Sequence, residues 1–106
     1  MVEKADKAKD NGSVIKALAI LDVLFRNFFH GYAASELAEA TGFSRSDITR
    51  YVQTLESAGW VERIAETNRI RVSHKLGQKA VQIMRALDAA AQRVEESKQR
   101  LTRGEL

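Results

Sequence analysis

ASELAEATGFSRSDITRY, residues 34–51, is the stretch that decides the fold of this chain. Counted from Ala34, a small residue (Ala38) stands at position 5 and a glycine (Gly42) at position 9. Two helices can cross closely only if position 5 is small, and the turn between them needs a residue that tolerates positive φ at position 9. Positions 4, 10, 15 and 18, which form the shared core, are all apolar or aromatic: Leu37, Phe43, Ile48 and Tyr51. The spacing predicts a helix-turn-helix.

The ends of the two helices are marked by capping residues. Ser35 is a candidate N-cap for the first helix, and Gly42 is placed to end it in the left-handed conformation. Ser44 is the candidate N-cap of the second helix, and Asp47 follows three residues later, a variant of the capping box with Asp in place of Glu. This second helix is expected to run from about residue 44 to residue 58 and to stop at Gly59.

The same turn invites a different interpretation, because residues 42–46 nearly match Gly-x-Ser-x-Gly, the strained turn that carries the nucleophile of many hydrolases. That turn must connect a strand to a helix, whereas the residues before Ser44 have a helical pattern. Ser46 also occupies the place of the second glycine. We therefore predict that the protein is not an enzyme. Neither His30 nor His74 has a cysteine or a close histidine partner, so we expect no metal site and no cofactor.

A β-hairpin is predicted directly after the second helix. Residues 60–64 and 69–72 alternate apolar with charged side chains, the period-two pattern of strands, and residues 65–68 can form the turn. The polar face of the hairpin is expected to carry four charged residues: Glu62, Arg63, Arg69 and Arg71. A helix-turn-helix followed by such a hairpin is a winged helix-turn-helix, with the wing at about residues 61–72.

A long apolar helix is predicted before this unit, over residues 14–29 with Ser13 as its N-cap. Its apolar residues cover nearly the whole circumference, whereas a helix on the surface of a monomer has one apolar stripe. Either this is a central core helix, or its own domain covers one side and a second subunit covers the other. We favour the second interpretation, because a chain of 106 residues has little other protein to cover both faces.

The C-terminal segment is expected to form one long helix from near Ser73 to Arg103, with Gly104 as its stop. Its apolar and small residues follow a heptad spacing over about four repeats; they are Leu76, Ala80, Ile83, Leu87, Ala90, Val94, Ser97 and Leu101. A solvated single helix with incidental periodicity is the alternative. We predict a homodimer that forms through the first and last helices. Its expected interface residues are Val14, Leu18, Leu21, Ile83, Leu87, Val94 and Leu101.

The fold class expected from these elements is mainly α with a small β-hairpin: a winged helix-turn-helix plus a long C-terminal helix. Residues 1–12 alternate in charge and are expected to be a flexible N-terminal tail. Residues 13–74 would then form the winged domain, and residues 75–106 the dimerisation or linker helix.

Composition narrows the class of protein further. The chain has no cysteine, which excludes disulfides and thiolate metal sites. It has no apolar run of transmembrane length and no apolar signal-peptide core, so we expect a cytoplasmic protein without membrane contact, nucleoid-associated when bound to DNA. The net charge is +3, and residues 43–79, with seven cations and four acids, carry the whole excess. A locally basic middle segment favours an anionic partner.

Residues 41–63 also resemble the N-terminal DNA-binding domain of the IclR family of transcriptional regulators. The similarity lies in Thr41-Gly42, in Arg45-Ser46 and Arg50, in Gln53-Thr54-Leu55 and in Gly59-Trp60-Val61, with a Leu76-Gly77 step after the wing. The resemblance covers roughly residues 13 to 90. Ser44 stands where the family commonly has a proline. Family members continue into a large effector-binding domain, whereas this sequence stops at residue 106, so the resemblance implies no small-molecule effector.

Double-stranded DNA is the expected partner, with the helix at residues 44–58 in the major groove. The exposed residues of its N-terminal part should read base edges; they are Arg45, Ser46, Thr49, Arg50 and Gln53. Backbone amides near Phe43 to Arg45 are expected to hold phosphates, as is the start of the preceding helix. A further set is expected on the DNA backbone or in an adjacent minor groove: Ser35, Ser44, Arg63, Arg69, Arg71 and Lys75.

The function predicted from these residues is sequence-specific DNA binding by a small dimeric transcriptional regulator. Two alternatives remain open. One is a DNA-binding accessory factor in phage or mobile-element DNA handling, and the other is a winged-helix module for protein–protein interaction. Asp47 is also open to two interpretations, as a helix-capping residue or as an acceptor for cytosine N4. Tyr51 and Trp60 are interpreted as core residues.

Overall fold

The first helix, α1, spans Gly12–Leu24 in the computed structural model, which describes residues 10–104 of the chain. Asn11 caps it, because the side-chain oxygen of Asn11 accepts hydrogen bonds from the backbone amides of Ser13 and Val14 at 3.0 and 3.3 Å. The predicted N-cap, Ser13, was therefore wrong by two residues. Most of the predicted N-terminal tail, residues 1–9, lies outside the described residues.

The end of α1 also differs from the prediction, which extended the helix to residue 29. The α-helix stops at Leu24, and a single 3₁₀ turn, Phe25–Asn27, follows. The Asn27 side chain then accepts a hydrogen bond from the His30 amide at 3.2 Å, and Gly31 adopts a φ of +68°. A side-chain–backbone turn of this kind competes with the helix, which explains why the apolar run alone overestimated its length.

The helix-turn-helix consists of α2, Ala34–Thr41, and α3, Arg45–Ser57. Gly42 ends α2 with a φ of +78°, and the hydroxyl of Ser44 accepts a hydrogen bond from the Asp47 amide at 3.1 Å. Both predicted caps are thus confirmed. Ser35 is not the N-cap of α2, since that position belongs to Ala33, whose side chain has no acceptor.

A carboxylate from the first turn of α2 compensates for the missing cap. Oε1 of Glu36 accepts a hydrogen bond from the backbone amide of Ala33 at 2.8 Å, which is the reciprocal half of a capping box. The negative charge of Glu36 also lies at the positive end of the helix dipole. The start of α2 is therefore fixed without a serine or threonine at the N-cap.

The core lies between α1, α2, α3 and the hairpin, which pack on one another. Its fully buried side chains come from each of these elements: Ile20, Leu24, Leu37, Ile48, Val52, Ile70 and Val72. Tyr51 and Trp60, which we expected in the core, are half-buried at its edge. The hydroxyl of Tyr51 lies 3.4 Å from Oγ of Ser13, near the start of α1.

The wing is a two-stranded antiparallel sheet of β1, Val61–Arg63, and β2, Ile70–Val72. The pairing places Val61 opposite Val72 and Glu62 opposite Arg71. Arg63 stands opposite the buried Ile70, so its side chain is on the other face from Glu62 and Arg71. Glu62, Arg63, Arg69 and Arg71 were predicted to share the polar face of the hairpin. This prediction was wrong for Arg63, because successive residues of a strand point to opposite faces.

A second contact ties the wing to the loop before α2. The amide and carbonyl of Tyr32 exchange hydrogen bonds with those of Ile70, both at 2.8 Å. Gly31, which precedes Tyr32, is buried, and its backbone lies close to the carbonyl of Ile70. The wing is therefore attached to the helical bundle through backbone atoms as well as through its buried side chains.

The last helix, α4, spans His74–Arg103 without interruption, and Gly104 follows it with a φ of +76°. The chain up to Ser73 and the chain from His74 form two separate compact units. None of the side chains of α4 is buried. Large apolar residues are exposed along it: Val81, Ile83, Met84, Leu87, Val94 and Leu101. Within residues 10–104, no helix is both long and apolar enough to cross a membrane.

Candidate nucleic-acid interface

One face of α3 is buried and the opposite face is exposed and polar. Ile48, Val52 and Leu55 anchor the buried face in the core. The exposed face carries all the residues predicted to read bases: Arg45, Ser46, Thr49, Arg50 and Gln53. Residues 46, 49, 50 and 53 follow the three- and four-residue steps of a single helical stripe. The structure thus brings these five side chains together on one side of α3.

The free hydrogen-bonding capacity of this stripe differs from residue to residue. The side chains of Arg45 and Gln53 make no hydrogen bond to any other residue in the described part of the chain. The hydroxyl of Thr49 donates to the carbonyl of Arg45 at 3.0 Å, and the hydroxyl of Ser46 lies 3.2 Å from that of Ser44. Arg50 is engaged by Asp47. The stripe can therefore offer both donors and acceptors to a partner.

The turn that begins α3 is held by side chains on both sides. The hydroxyl of Thr41 donates to the carbonyl of Leu37 at 2.7 Å and accepts from the amide of Phe43 at 3.2 Å. The amide of Phe43, one of those expected to bind phosphate, is therefore occupied within the protein. Ser44 satisfies the Asp47 amide. These contacts fix where the N-terminal end of α3 points.

Asp47 binds cations from two different helices. Its Oδ1 accepts a hydrogen bond from Nη2 of Arg50 at 2.6 Å, and its Oδ2 lies 3.4 Å from Nζ of Lys16 on α1. The carboxylate does not complete the capping box predicted with Ser44, because its oxygens face Arg50 and Lys16 and accept no hydrogen bond from the Ser44 amide. A carboxylate that accepts such hydrogen bonds is favoured in its ionised form.

The electrostatics of this group follow from its geometry. The hydrogen bond from Arg50, supported by Lys16, holds the pKa of Asp47 below its usual value, although partial burial opposes the shift. The same hydrogen bond, together with the nearby Tyr51, raises the pKa of Arg50. Asp47 and Arg50 are thus a charged pair at neutral pH, and Lys16 offsets the negative charge that the pair presents.

The arginines of the wing all make contacts inside the protein. Arg69 reaches from the wing to the loop before α2, where its Nε and Nη2 donate to the carbonyls of His30 and Gly31 at 3.2 and 2.9 Å. Its Nη2 also pairs with Glu36 at 2.9 Å. Nη1 of Arg69 has no hydrogen-bond partner among residues 10–104. Arg69 can therefore hold the wing in place and still present one nitrogen to an anion.

The other two arginines of the wing are anchored in the same way. Arg71 binds Glu62 through Nε at 2.8 Å and the carbonyl of Phe29 through Nη1 at 3.1 Å. Arg63 pairs with Glu56 at the end of α3, with Nε and Oε1 3.5 Å apart. Their role on DNA stays a prediction, and the contacts add a second role: they fix the wing relative to α3 and to the loop after α1.

The remaining residues predicted to contact the DNA backbone lie at helix starts. Ser35 is exposed in the first turn of α2, where the carboxylate of Glu36 already accepts the amide of Ala33. Lys75 is exposed in the first turn of α4. No group of three His, Cys, Asp or Glu side chains within residues 10–104 is arranged to hold a metal ion.

Sequence reasoning missed Lys16 and Glu36 as parts of this site. Lys16 is separated from Asp47 by α2 and two loops, and its ammonium group also lies 5.4 Å from the centre of the Phe43 ring. Neither helical periodicity nor capping rules link residues so far apart in the chain. The charge pair of Glu36 with Arg69 likewise depends on how the wing folds back.

Comparison with known proteins places this arrangement in a family. Residues 13–65, half of the chain, match the IclR helix-turn-helix domain. The chain belongs to the IclR family. The matched segment of this IclR-family protein contains α1 from Ser13 onward, the helix-turn-helix and β1, and so it includes the whole exposed stripe of α3.

Two relatives of this IclR-family chain illustrate the relationship. It is 26% identical over 98 residues to the DNA-binding transcriptional repressor YiaJ of Escherichia coli (strain K12), an alignment that covers 90% of this chain and 34% of YiaJ. The crystal structure of Pseudomonas aeruginosa HmgR superposes with a TM-score of 0.59 at 26% identity, over 65% of this chain and 28% of HmgR. The chain thus spans about a third of the length of these relatives.

The family assignment agrees with the fold and with the predicted class of function. Within residues 10–104, three α-helices and a two-stranded antiparallel sheet form the winged helix expected from the sequence, and α4 follows them in the chain. The IclR helix-turn-helix domain of this chain supports a role in DNA-binding transcription regulation. In the near match to a nucleophilic turn at residues 42–46, Gly42 ends α2 and the hydroxyl of Ser44 caps α3.

Proposed function

We propose that this IclR-family protein binds double-stranded DNA in a sequence-specific way and acts as a dimeric transcription regulator. The observation that carries the proposal is the exposed polar stripe on α3, a helix whose opposite face is anchored in the core. A helix held in this way can enter the major groove, which is about 12 Å wide, with its N-terminal part against the bases.

Each residue of the stripe has a role on DNA that its chemistry suggests. Arg45 and Arg50 can each hold O6 and N7 of a guanine with two hydrogen bonds. Ser46 and Thr49 can bind a base edge or a phosphate, and Gln53, one turn further along α3, can bind adenine N6 and N7. The stripe contains no acid, which favours a polyanionic partner over a basic one.

The wing and the helix starts would bind the DNA backbone. Nη1 of Arg69 is one group of the wing that could bind a phosphate, because it makes no hydrogen bond within residues 10–104. Phosphate contacts of this kind set the register of the protein on the duplex without reading its sequence. The remaining predicted backbone contacts are those of Ser35, Ser44, Arg63, Arg71 and Lys75.

The dimer is supported by exposed apolar surface on α1 and α4. Ile20, Val23 and Leu24 bury one side of α1 in the core, whereas Val14 and Leu18 are more than half exposed, at 53% and 56%. On α4, the predicted interface residues Ile83, Leu87, Val94 and Leu101 are exposed by 60% or more. Leu21 is half-buried. A second copy of the chain would remove these side chains from water.

Selection of bound duplexes from a random pool tests the DNA-binding proposal. An enriched motif with two-fold symmetry is the expected result, since a symmetric dimer binds two half-sites of opposite orientation. Failure to enrich any motif would overturn sequence-specific binding. The exposed apolar surfaces would then favour the alternative of a protein-interaction module.

A substitution on α4 tests the dimer separately. Leu87→Glu places a charge in the proposed interface, so the sedimentation coefficient should fall to that of a monomer. Gln82→Glu introduces the same charge on the same helix, off the heptad seam, and is expected to leave the association state unchanged. A Leu87→Glu protein that still sediments as the wild type does would rule out an interface through this part of α4.

A further inference from the structure

Asp47 lies between cations from two different helices. Its two carboxylate oxygens are divided between them: Oδ1 takes Nη2 of Arg50, and Oδ2 faces Nζ of Lys16. The Asp47 side chain is 21% exposed, whereas that of Arg50 is 66% exposed. The carboxylate is thus set back from the surface of α3, and the guanidinium that it holds stands in front of it.

An aromatic ring restricts Arg50 from a second direction. The guanidinium carbon of Arg50 lies 5.2 Å from the centre of the Tyr51 ring, within the range of a cation–π contact. The hydroxyl of Tyr51 in turn lies 3.4 Å from Oγ of Ser13 on α1. Through Lys16 and Ser13, the first two turns of α1 therefore support both groups that hold Arg50.

An arginine side chain that is already held in place is well suited to bind guanine. The guanidinium has five donors in a rigid plane, and the bond to Asp47 uses one nitrogen, which leaves other N–H groups for the O6 and N7 acceptors. A free arginine loses side-chain entropy when it binds, and holding it beforehand removes part of that cost. Lys16 offsets the charge of Asp47, which would otherwise repel the phosphates.

We propose that Asp47 is a positioning residue for sequence recognition, whose carboxylate holds the guanidinium of Arg50 in the orientation that reads a guanine. Lys16 and Tyr51 complete the support, which links α1 to the base-reading surface of α3. The inference rests on the proposed function, because it requires that α3 lies in the major groove. It assigns Asp47 an indirect role and not a contact with cytosine of its own.

The test compares Asp47→Asn with wild type on duplexes selected by the wild type and changed one base pair at a time. Preference for the guanine read by Arg50 should fall by about 2- to 12-fold. This factor corresponds to the entropic cost of immobilising one long side chain on binding. Affinity for an unrelated duplex should not fall, because the substitution removes a negative charge. A general loss of affinity, equal on all duplexes, would show a merely structural role and overturn the inference.

Glu39→Gln provides the matched control for the lost charge. Glu39 is exposed on α2 and makes no hydrogen bond or ion pair with another residue of the described chain. This variant is expected to keep the base preference of the wild type. Lys16→Met is a second variant that leaves the cap of α3 intact, and it should lower the same guanine preference by a smaller factor. The inference would be refuted if neither Asp47→Asn nor Lys16→Met changed the base preference.

A double-mutant cycle separates Asp47 from Arg50. In an Arg50→Ala background, Asp47→Asn should have no further effect on base preference, since the group that it positions is gone. An equal effect with and without Arg50 would mean that Asp47 contacts a base itself, and it would overturn the inference. Failure of the proposed function has a different signature, because the wild type would then enrich no motif at all.

Discussion

Replacement of Gly31 by alanine should detach the wing from the helical bundle. Gly31 has a φ of +68°, and a Cβ atom added there would lie 2.3 Å from the carbonyl oxygen of Ile70 and 2.8 Å from its carbonyl carbon. Both are backbone atoms of β2, so no side chain can move aside to make room. The carbonyl of Ile70 is also the acceptor for the amide of Tyr32.

The expected cost of Gly31→Ala combines two effects. An alanine in the left-handed region costs about 1–2 kcal/mol. Separation of β2 from the loop breaks the two hydrogen bonds between Tyr32 and Ile70, each worth about 0.5–1.5 kcal/mol. The sum is a loss of about 2–5 kcal/mol, a large part of the stability of a small domain.

Two other glycines provide matched controls in the same denaturation experiment. Gly42→Ala carries the same strain at a φ of +78° but meets no atom within 4 Å, so it should cost only about 1–2 kcal/mol. Gly12→Ala lies in the first turn of α1 with nothing within 4 Å, and it should be neutral or stabilising. Equal losses for Gly31→Ala and Gly42→Ala would refute the contact between the wing and the loop.

Three further predictions concern the cap, the wing and the charge pair. Ser44→Ala should lower the free energy of unfolding by about 0.5–2 kcal/mol through loss of the cap, whereas Ser46→Ala should change it less. Arg69→Ala should weaken binding to all duplexes alike and reduce the slope of log K against log salt by about one; an unchanged slope would exclude a phosphate contact. Because the pKa of Asp47 is lowered in the folded protein, its ion pair stabilises the fold above pH 3.8, the ordinary pKa of aspartate. This contribution is lost as the pH falls through the lower pKa that Asp47 has in the folded protein. The difference in unfolding free energy between wild type and Asp47→Asn should therefore shrink in acid, and a constant difference would argue against the pair.

Local sequence rules were sufficient to predict the turn of the helix-turn-helix and the start of α3. The cap of α3 at Ser44 and the left-handed Gly42 depend only on residues within one turn, and both are confirmed. The turn of the hairpin also depends on local chemistry, since Asn68 adopts a φ of +60°, which asparagine tolerates. Of the two core positions predicted on α3, Ile48 is fully buried, whereas Tyr51 is half-buried.

Sequence reasoning failed where a side chain competes with a helix or where distant segments meet. Asn11 stands at the start of α1, and Asn27 stands at the end of the 3₁₀ turn that follows it. Both accept backbone hydrogen bonds through their side chains, and the pattern of apolar residues does not reveal such bonds. The half-buried position of Tyr51 and the contacts of Lys16 and Arg69 arise from tertiary packing. These long-range contacts decide how α3 and the wing are held, and so they matter most for the proposed recognition.

Base preference of the Arg50→Ala variant tests the central claim, that the exposed stripe of α3 reads the major groove. Binding would be measured for wild type and variant on the selected duplex and on its single-base-pair substitutions. The variant should lose about 1–3 kcal/mol on the selected duplex and should cease to discriminate at one base pair of each half-site, with the other positions unchanged. A variant that retains the full preference of the wild type at every position would contradict recognition through this face of α3.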